Sequence, residues 1–188
     1  MRAGVLSSAA WLLLAPGAAA MAEQPRLRPS RDVAVVYRAP GPHGTAVEQR
    51  VRWLAAAETM RIDPPDHDLH VIIDYAARRM SVVNDATRSV VEMAAPDGAS
   101  AIAGADAAGS FSRVGQGAVA GRPCTEWRTL DRQGRAALIC ITEDGVLLRA
   151  GTPETVRVSA TSVEYAPQDA AGFRVPADYT RVGPGASR

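Results

Sequence analysis

Lysine is missing from this sequence: all of its 21 basic residues are arginine, and 20 aspartates and glutamates leave a net charge of +1. No basic cluster forms along the chain, so nothing favours a nucleic-acid partner electrostatically, and we expect none. Aromatic residues are scarce, at 5% of 188 residues, so valine, isoleucine, leucine and alanine must supply most of the core. A chain of this length fits one domain that buries its own core.

Several enzyme motifs are also missing. There is no G-x-S-x-G sequence, the mark of a serine hydrolase elbow. The two cysteines are not spaced as C-x-x-C, which argues against catalytic thiol exchange. Neighbouring carboxylates such as Glu143 and Asp144 lie in turn segments, where they favour backbone hydrogen bonding over catalysis. We therefore predict that the protein is not an enzyme and needs no cofactor.

Histidine is rare too, but two of the three histidines stand close together in the stretch "DHDLH". His67, His70 and Asp68 are weak candidates for a metal site, because imidazole and carboxylate groups both bind transition metals. The stretch follows Pro64 and Pro65, which predicts a solvated loop entering a strand, and no second cluster completes a coordination shell. We predict that no metal binds, and a metal-dependent enzyme stays the least favoured hypothesis.

The one long apolar run stands at the N-terminus. Residues 1–22 combine Arg2, an apolar stretch from Val5 to Ala15 and a zone of small residues from Pro16 to Ala22, the three parts of a secretory signal. The apolar run is shorter than the ~20 residues that a membrane span needs. We predict cleavage after residue 20 or 22, a periplasmic protein that is not integral to the membrane, and a polar lead-in at 23–30.

An oxidising compartment favours a disulfide between Cys124 and Cys140. The residues between them predict a hairpin, with strand-like runs on either side of the turn segment "DRQG". A hairpin folded about Arg132 would place Cys124 directly opposite Cys140, and Trp127 opposite Ala137. Closing a loop of this size would stabilise the fold by ~3 kcal/mol in the chain-entropy model.

Alternation of apolar and polar residues predicts nine or ten short strands. The clearest pattern lies at 45–55, where Val47, Val51 and Trp53 share one face while Glu48, Arg50 and Arg52 share the other. Such a strand belongs to an antiparallel sheet with one buried and one wet face. In the last long strand the apolar phase slips near Ala160–Ser162, which predicts a β-bulge.

The expected fold is mainly β within the α+β class. Residues 31–182 should form a single domain, with a strongly curved antiparallel sheet or open half-barrel, one disulfide and a disordered tail at 183–188. One short helical segment, Ala99 to Ala108, should cover part of the sheet, because this stretch is rich in alanine and poor in β-branched residues.

The segment "FSRVGQGAVAGRPCTEWRTLDRQGRAALICITEDGVLLR", Phe111 to Arg149, carries a family pattern. A Phe and an Arg precede Ala120-Gly121, a Cys in "CTEW" and a second Cys before "TEDGVLLR". The pattern resembles uncharacterised exported proteobacterial proteins of the DUF4412 type. Those proteins are in turn similar to the LolA/LolB lipoprotein-carrier fold, which implies a curved half-barrel with an apolar concave face.

The apolar stripe of Val47, Val51 and Trp53 leads to the functional hypothesis. Leaving such a stripe exposed forfeits ~25 cal/mol per Å² of apolar area, so something must cover it. Either the sheet closes on its own side chains or a groove remains, and we predict a groove. The expected function is therefore a periplasmic, non-enzymatic binding or carrier protein for an acyl chain, a lipid, a lipoprotein or another hydrophobic molecule. The alternative is a structural or interaction module of the cell envelope.

Overall fold

The computed structural model describes residues 23–41, 44–65, 68–96, 110–130 and 134–183. Within these residues the chain forms twelve strands, β1 (Val33–Pro40), β2 (Ala46–Leu54), β3 (Thr59–Asp63), β4 (Leu69–Asp74), β5 (Arg79–Asn84), β6 (Ser89–Ala94), β7 (Ser112–Val119), β8 (Arg122–Leu130), β9 (Ala136–Ile141), β10 (Leu147–Gly151), β11 (Val156–Glu164) and β12 (Thr180–Val182). Two short 3-10 turns, Ala55–Ala57 and Ala170–Phe173, complete the regular elements of the described ranges.

All twelve strands belong to one open sheet, in the order β12-β6-β5-β4-β3-β2-β1-β11-β10-β9-β8-β7. Every pairing is antiparallel except that of β12, which runs parallel to β6. Two meanders, β1 to β6 and β7 to β11, meet where β1 pairs with β11. The expected mainly β class is confirmed. The predicted helical segment, Ala99 to Ala108, lies outside the described residues, and among those residues no helix is long and apolar enough to cross a membrane.

The hairpins β4–β5 and β5–β6 repeat one turn design. Each turn opens on an Asx side chain that accepts a hydrogen bond three residues on, Asp74 from the Ala77 amide and Asn84 from the Thr87 amide, at 2.8 and 2.9 Å. Each closes on an arginine in the left-handed region, Arg78 at φ 54° and Arg88 at φ 49°. Short Asx side chains favour turns because they satisfy backbone donors locally. The first meander is therefore specified by local sequence.

The two faces of the sheet carry different side chains. The face that we call inner carries two apolar rows that cross five strands, from β2 to β6. Directly opposed partners make up the rows Val51, Ile62, Val71, Val82, Val91 and Trp53, Met60, Ile73, Met80, Met93. The outer face of β2 and β3 instead carries Arg52, Arg61 and Asp63, joined by ion pairs of 2.7 to 2.9 Å. The alternation predicted for 45–55 is confirmed.

The outer face of the first meander is covered by residues 170–182. A small second core forms there from Ile72, Val83 and Val90, against which Val175 and Tyr179 pack. Phe173 is 6% exposed in the same cover. The segment ends in β12, whose pairing with β6 adds backbone hydrogen bonds at the edge of the sheet.

The disulfide between Cys124 and Cys140 is present, with a Cα–Cα distance of 5.5 Å. The register that we predicted for its hairpin is wrong, because Glu126 lies opposite Cys140 and Trp127 lies opposite Ile139. The hairpin folds one residue later than expected, so the cysteines are diagonal neighbours on one face, and strand twist brings them within bonding reach. The predicted bulge in β11 is confirmed, since the register with β1 skips Thr161.

Candidate binding groove on the inner face

Two of the three predicted groove residues lie at the centre of the inner face. Val51 is 4% exposed and Trp53 is 2% exposed, while Val47, nearer the start of the same strand, is half-buried. The sheet curls so strongly that side chains of distant strands meet above them. One small apolar cavity of about 30 Å³ is bounded by β1, β2, β3 and the start of β10, through Val33, Val35, Tyr37, Val51, Trp53, Met60, Val146 and Leu147.

The chain itself fills the opening of this cavity. Residues 23–32, which we call the N-terminal segment, run across the inner side of the curled sheet. Leu27 and Pro29 are half-buried and line the cavity, whereas Arg26, Arg28 and Ser30 are exposed. This alternation is that of an extended strand with one apolar side. The stretch that we expected to be a polar lead-in thus lies against the cavity that Val51 and Trp53 line, and the groove stays a prediction.

Gly145 makes this close approach possible. A Cβ atom at this position would stand 2.2 Å from the carbonyl oxygen of Arg28, and the backbone φ of +95° is itself unfavourable for residues with a side chain. Beside it, the Ser30 amide donates to the Asp144 carbonyl at 2.9 Å. The turn between β9 and β10 therefore holds the backbone of the segment directly.

Side chains on both sides of the opening tie the segment down. Arg28 pairs with Glu58 at 2.8 Å and its guanidinium lies 4.6 Å from the centre of the Tyr75 ring. The Asp32 carboxylate accepts hydrogen bonds from the amides of Ala55 and Gln168, at 2.8 and 2.9 Å. Most of these charged groups are exposed, and exposed ion pairs are worth only ~0–1 kcal/mol.

The carboxylate of Asp144, next to the N-terminal segment, has three side-chain partners. It pairs with Arg31 at 2.8 Å and accepts hydrogen bonds from Thr142 at 2.5 Å and Tyr165 at 3.0 Å. Partial burial alone would raise the pKa of the Asp144 carboxyl, but the hydrogen bonds from Thr142, Arg31 and Tyr165 outweigh it and hold that pKa below its ordinary value. Asp144 therefore remains ionised and structural at neutral pH.

Space remains on both sides of the N-terminal segment. Open clefts of about 470, 480 and 350 Å³ flank it, and each is lined in part by the segment itself. The segment is thus a strap over the inner face and does not merge into the sheet, since the described residues give it no strand pairing.

The apolar rows lose their cover toward β6. Trp53, Met60 and Ile73 are at most 5% exposed, but Met80 is half-buried and Met93 is 40% exposed. The other row changes in the same way, from buried Val51 to half-buried Val82. Within the described residues the inner face is therefore a filled core at β1 to β3 that opens into an apolar surface at β5 and β6.

Trp53 carries an unsatisfied group within the filled part of the inner face. Its indole N–H is buried and has no acceptor in the described part of the chain. Because a buried donor without a partner costs about 1–3 kcal/mol, an acceptor that reached it would be bound favourably.

The histidine candidates do not lie in this groove. His70 is 4% exposed on the outer face, where its Nδ1 is 2.9 Å from Asp85, which also accepts a hydrogen bond from Tyr179 at 2.8 Å. Burial and the positive charge of Arg61 lower the pKa of His70. His67 lies outside the described residues, Asp68 begins the turn into β4, and within the described ranges no three metal-binding side chains cluster.

No protein-family model and no curated protein sequence matches the chain. Solved structures share its fold. One, an uncharacterised conserved protein from Thermus thermophilus, gives a TM-score of 0.57 at 14% identity and covers 82% of this chain and 91% of its own. The Pseudomonas aeruginosa MucA/MucB complex gives 0.54 at 16% identity, and MucB in complex with MucA(peri) gives 0.53 at 16%.

The MucB matches cover 84% of this chain, which spans only 58% to 60% of those chains. At such identities the likeness concerns the fold alone. It fits the predicted half-barrel of the lipoprotein-carrier type, while the DUF4412 resemblance stays a prediction.

We did not predict the N-terminal segment as part of the site. One signal was present, since apolar Leu27 and Pro29 alternate with charged or polar residues in "PRLRPSR". The prolines, however, favoured an irregular lead-in, and nothing local predicts the turn at Gly145 as its partner.

Proposed function

We propose that this protein is an exported, non-enzymatic binding protein whose inner face receives an extended apolar ligand, such as an acyl chain or the chain of a lipid. In the described structure its own N-terminal segment takes that place. The observation that carries the proposal is that Leu27 and Pro29 line the same cavity as Val51 and Trp53.

The way the segment is held supports exchange for a ligand. The ion pair of Arg28 with Glu58 is exposed and individually weak, and the apolar contacts come from two half-buried side chains. Hydrogen bonds at Ser30 and Asp32 would have to open when the segment leaves. Displacing it would lengthen the apolar cavity toward the half-buried side chains of β4 to β6. The free indole N–H of Trp53 would then favour a ligand that carries a carbonyl or carboxyl oxygen next to its apolar chain.

Fluorescence of Trp53 offers a direct test. In protein lacking residues 1–22, a Trp127→Phe background leaves Trp53 as the single tryptophan. Titration with saturated fatty acids of increasing length should change its emission saturably, with an optimum length. The absence of a saturable change at every length would remove the proposal.

The Leu27→Ala variant tests whether the segment and the ligand compete for the same place. The change should weaken docking of the segment by about 1 kcal/mol, since the side chain is half-buried, and so raise the apparent ligand affinity about fivefold. Leu130→Ala is the matched control, because Leu130 is 43% exposed on β8 and away from the cavity. Equal affinities of the two variants would show that segment and ligand do not compete.

A second candidate is an interaction module for a protein partner. It is favoured by the occupant itself, which is a polypeptide in extended form, and by the MucB structures, in which MucB is bound to MucA. A labelled peptide of residues 23–32 should then bind in trans to protein that begins at Arg31, and a peptide with Leu27→Asp should not. If neither peptide binds, this second candidate is wrong, whereas the fatty-acid titration still tests the first.

A further inference from the structure

A separate cleft lies where the N-terminal segment meets the turn between β9 and β10. It has a volume of about 470 Å³, and three arginines line it, Arg26, Arg31 and Arg122, around the ring of Tyr165. The guanidinium of Arg31 lies 3.7 Å from the ring centre and that of Arg122 lies 5.3 Å from it. One aromatic ring thus draws two positive groups together.

Only one of the three arginines is neutralised. Arg31 is paired with Asp144, which also accepts hydrogen bonds from Thr142 and Tyr165. Arg26 and Arg122 have no carboxylate partner among the residues that the structure describes. Their positive charges are therefore not balanced by a described carboxylate and can attract an anion from solution.

Both open arginines are positioned by the fold. The stem of Arg26 passes over Gly145, where a Cβ atom would stand 2.9 Å from its Cγ. Arg122 is held by the Tyr165 ring and donates to the Val163 carbonyl at 3.4 Å. Positioning of this kind reduces the entropy that would be lost on binding.

We propose that this cleft binds a small organic anion through a phosphate or carboxylate group, held between Arg26 and Arg122. Planar guanidinium forks match both oxyanions, and a cleft of this size accepts an organic molecule as well as the charged group. Glu143, which also lines the cleft, lowers its attraction for anions. The site lies outside the apolar cavity. It requires the docked N-terminal segment, which carries Arg26, but it does not require that an apolar ligand exchanges with this segment.

Glycerol 3-phosphate is a suitable first probe. Its binding at low ionic strength can be measured by calorimetry and by NMR of the arginine Nε–H groups. Arg122→Gln and Arg26→Gln should each weaken binding about tenfold, the usual loss of a charged hydrogen bond. Arg157→Gln, an exposed arginine on β11, is the matched control and should change it less than twofold. Glu143→Gln should strengthen binding about two- to fivefold.

Vesicles distinguish a lipid headgroup from a free anion. Sedimentation with phosphatidylcholine vesicles that contain phosphatidic acid, but not with pure phosphatidylcholine, would assign the site to a headgroup if Arg122→Gln abolishes it. Binding of glycerol 3-phosphate alone would assign it to a free anion. The inference is overturned if neither probe binds, or if Arg157→Gln weakens binding as much as Arg122→Gln does.

Discussion

The two ends of the described chain each cover one face of the sheet, but they do so by different means. The N-terminal segment crosses the inner face with two half-buried apolar side chains and a set of exposed ion pairs. Residues 170–182 cover the outer face with buried Phe173, with Val175 and Tyr179 on a small core, and with a strand added to the sheet.

Hydrogen bonds hold both covers. In the outer cover Arg61 donates to the Gly172 carbonyl and Tyr179 to Asp85, both at 2.8 Å, and in the inner cover Asp32 accepts from the Ala55 and Gln168 amides at 2.8 and 2.9 Å. The two covers differ instead in packing. Clefts flank the inner cover, and the apolar rows beneath it continue into half-buried side chains. Low local stability is what a displaceable element requires. We conclude that the outer cover is part of the fold, whereas the inner cover is suited to exchange.

Truncating one anchor in each cover should give the largest difference. Phe173→Ala removes a buried ring and should lower the free energy of unfolding by about 3 kcal/mol, whereas Leu27→Ala should cost about 1 kcal/mol. Urea unfolding at a constant m-value measures both. Phe173→Leu keeps most of the apolar volume and should lose clearly less than Phe173→Ala. Similar losses in the free energy of unfolding for Phe173→Ala and Leu27→Ala would contradict the distinction between the two covers.

Acid should weaken the outer cover before the inner one. Burial and Arg61 lower the pKa of His70, although Asp85 and Asp63 act in the opposite direction. Tyr179 of the outer cover contacts the same group of residues, because its hydroxyl donates a hydrogen bond to Asp85. The unfolded chain then takes up the proton more readily than the folded one, so stability falls as the pH drops below about 6.5 and levels off below the folded pKa.

The His70→Gln variant tests this dependence. Its stability should be nearly constant between pH 7 and pH 5, where the wild type loses part of its own. Asp144, which serves the inner cover, has a lowered pKa, so its stabilising contribution is present above about pH 4 and is lost only in stronger acid. The same slope in both proteins between pH 7 and pH 5 would contradict the assignment to His70.

Local pattern was sufficient to predict much of the sheet but not its covers. Strand β2 was predicted because Val51 and Trp53 alternate with Arg50 and Arg52, and a hairpin partner follows within a few residues. Strand β7 was missed because Gly115 and Gly117 weaken its β signal. Its glycines have a tertiary reason, since a Cβ at either position would lie 3.2 to 3.3 Å from the Glu126 carboxylate.

Long-range partners account for the rest. Strand β12 pairs in parallel with β6, about ninety positions earlier in the chain, and its three residues carry no pattern of their own. The pairing of His70 with Asp85 could have been inferred, because the alternation in "DLHVIIDY" and "RMSVVND" indicates the β4–β5 hairpin, which sets His70 opposite Val83. We placed His67 and His70 together at a loop-to-strand junction, and the hairpin register is the better guide to the partner of His70.

The smallest effect that we expect concerns the ion pairs of the inner cover. Arg28→Gln removes the pair with Glu58, whose side chains are 44% and 54% exposed, and the contact with Tyr75. Global stability should fall by less than about 1 kcal/mol. Locally, the Ser30 amide, which donates to the Asp144 carbonyl, should exchange its hydrogen several-fold faster, because exchange follows opening of the segment and not unfolding of the sheet.

Arg38→Gln is the matched control for this measurement. It removes the ion pair between Arg38 and Glu48, which are 3.3 Å apart and similarly exposed. This pair lies on the strands β1 and β2, outside the segment. Its small cost in stability should leave exchange at Ser30 unchanged. Added salt should reproduce the effect of Arg28→Gln in the wild type, since both weaken the same exposed attraction. If Ser30 responds to neither salt nor Arg28→Gln, the exposed ion pair does not hold the segment, and its apolar side chains, the Gly145 contact and the hydrogen bonds of Asp32 do.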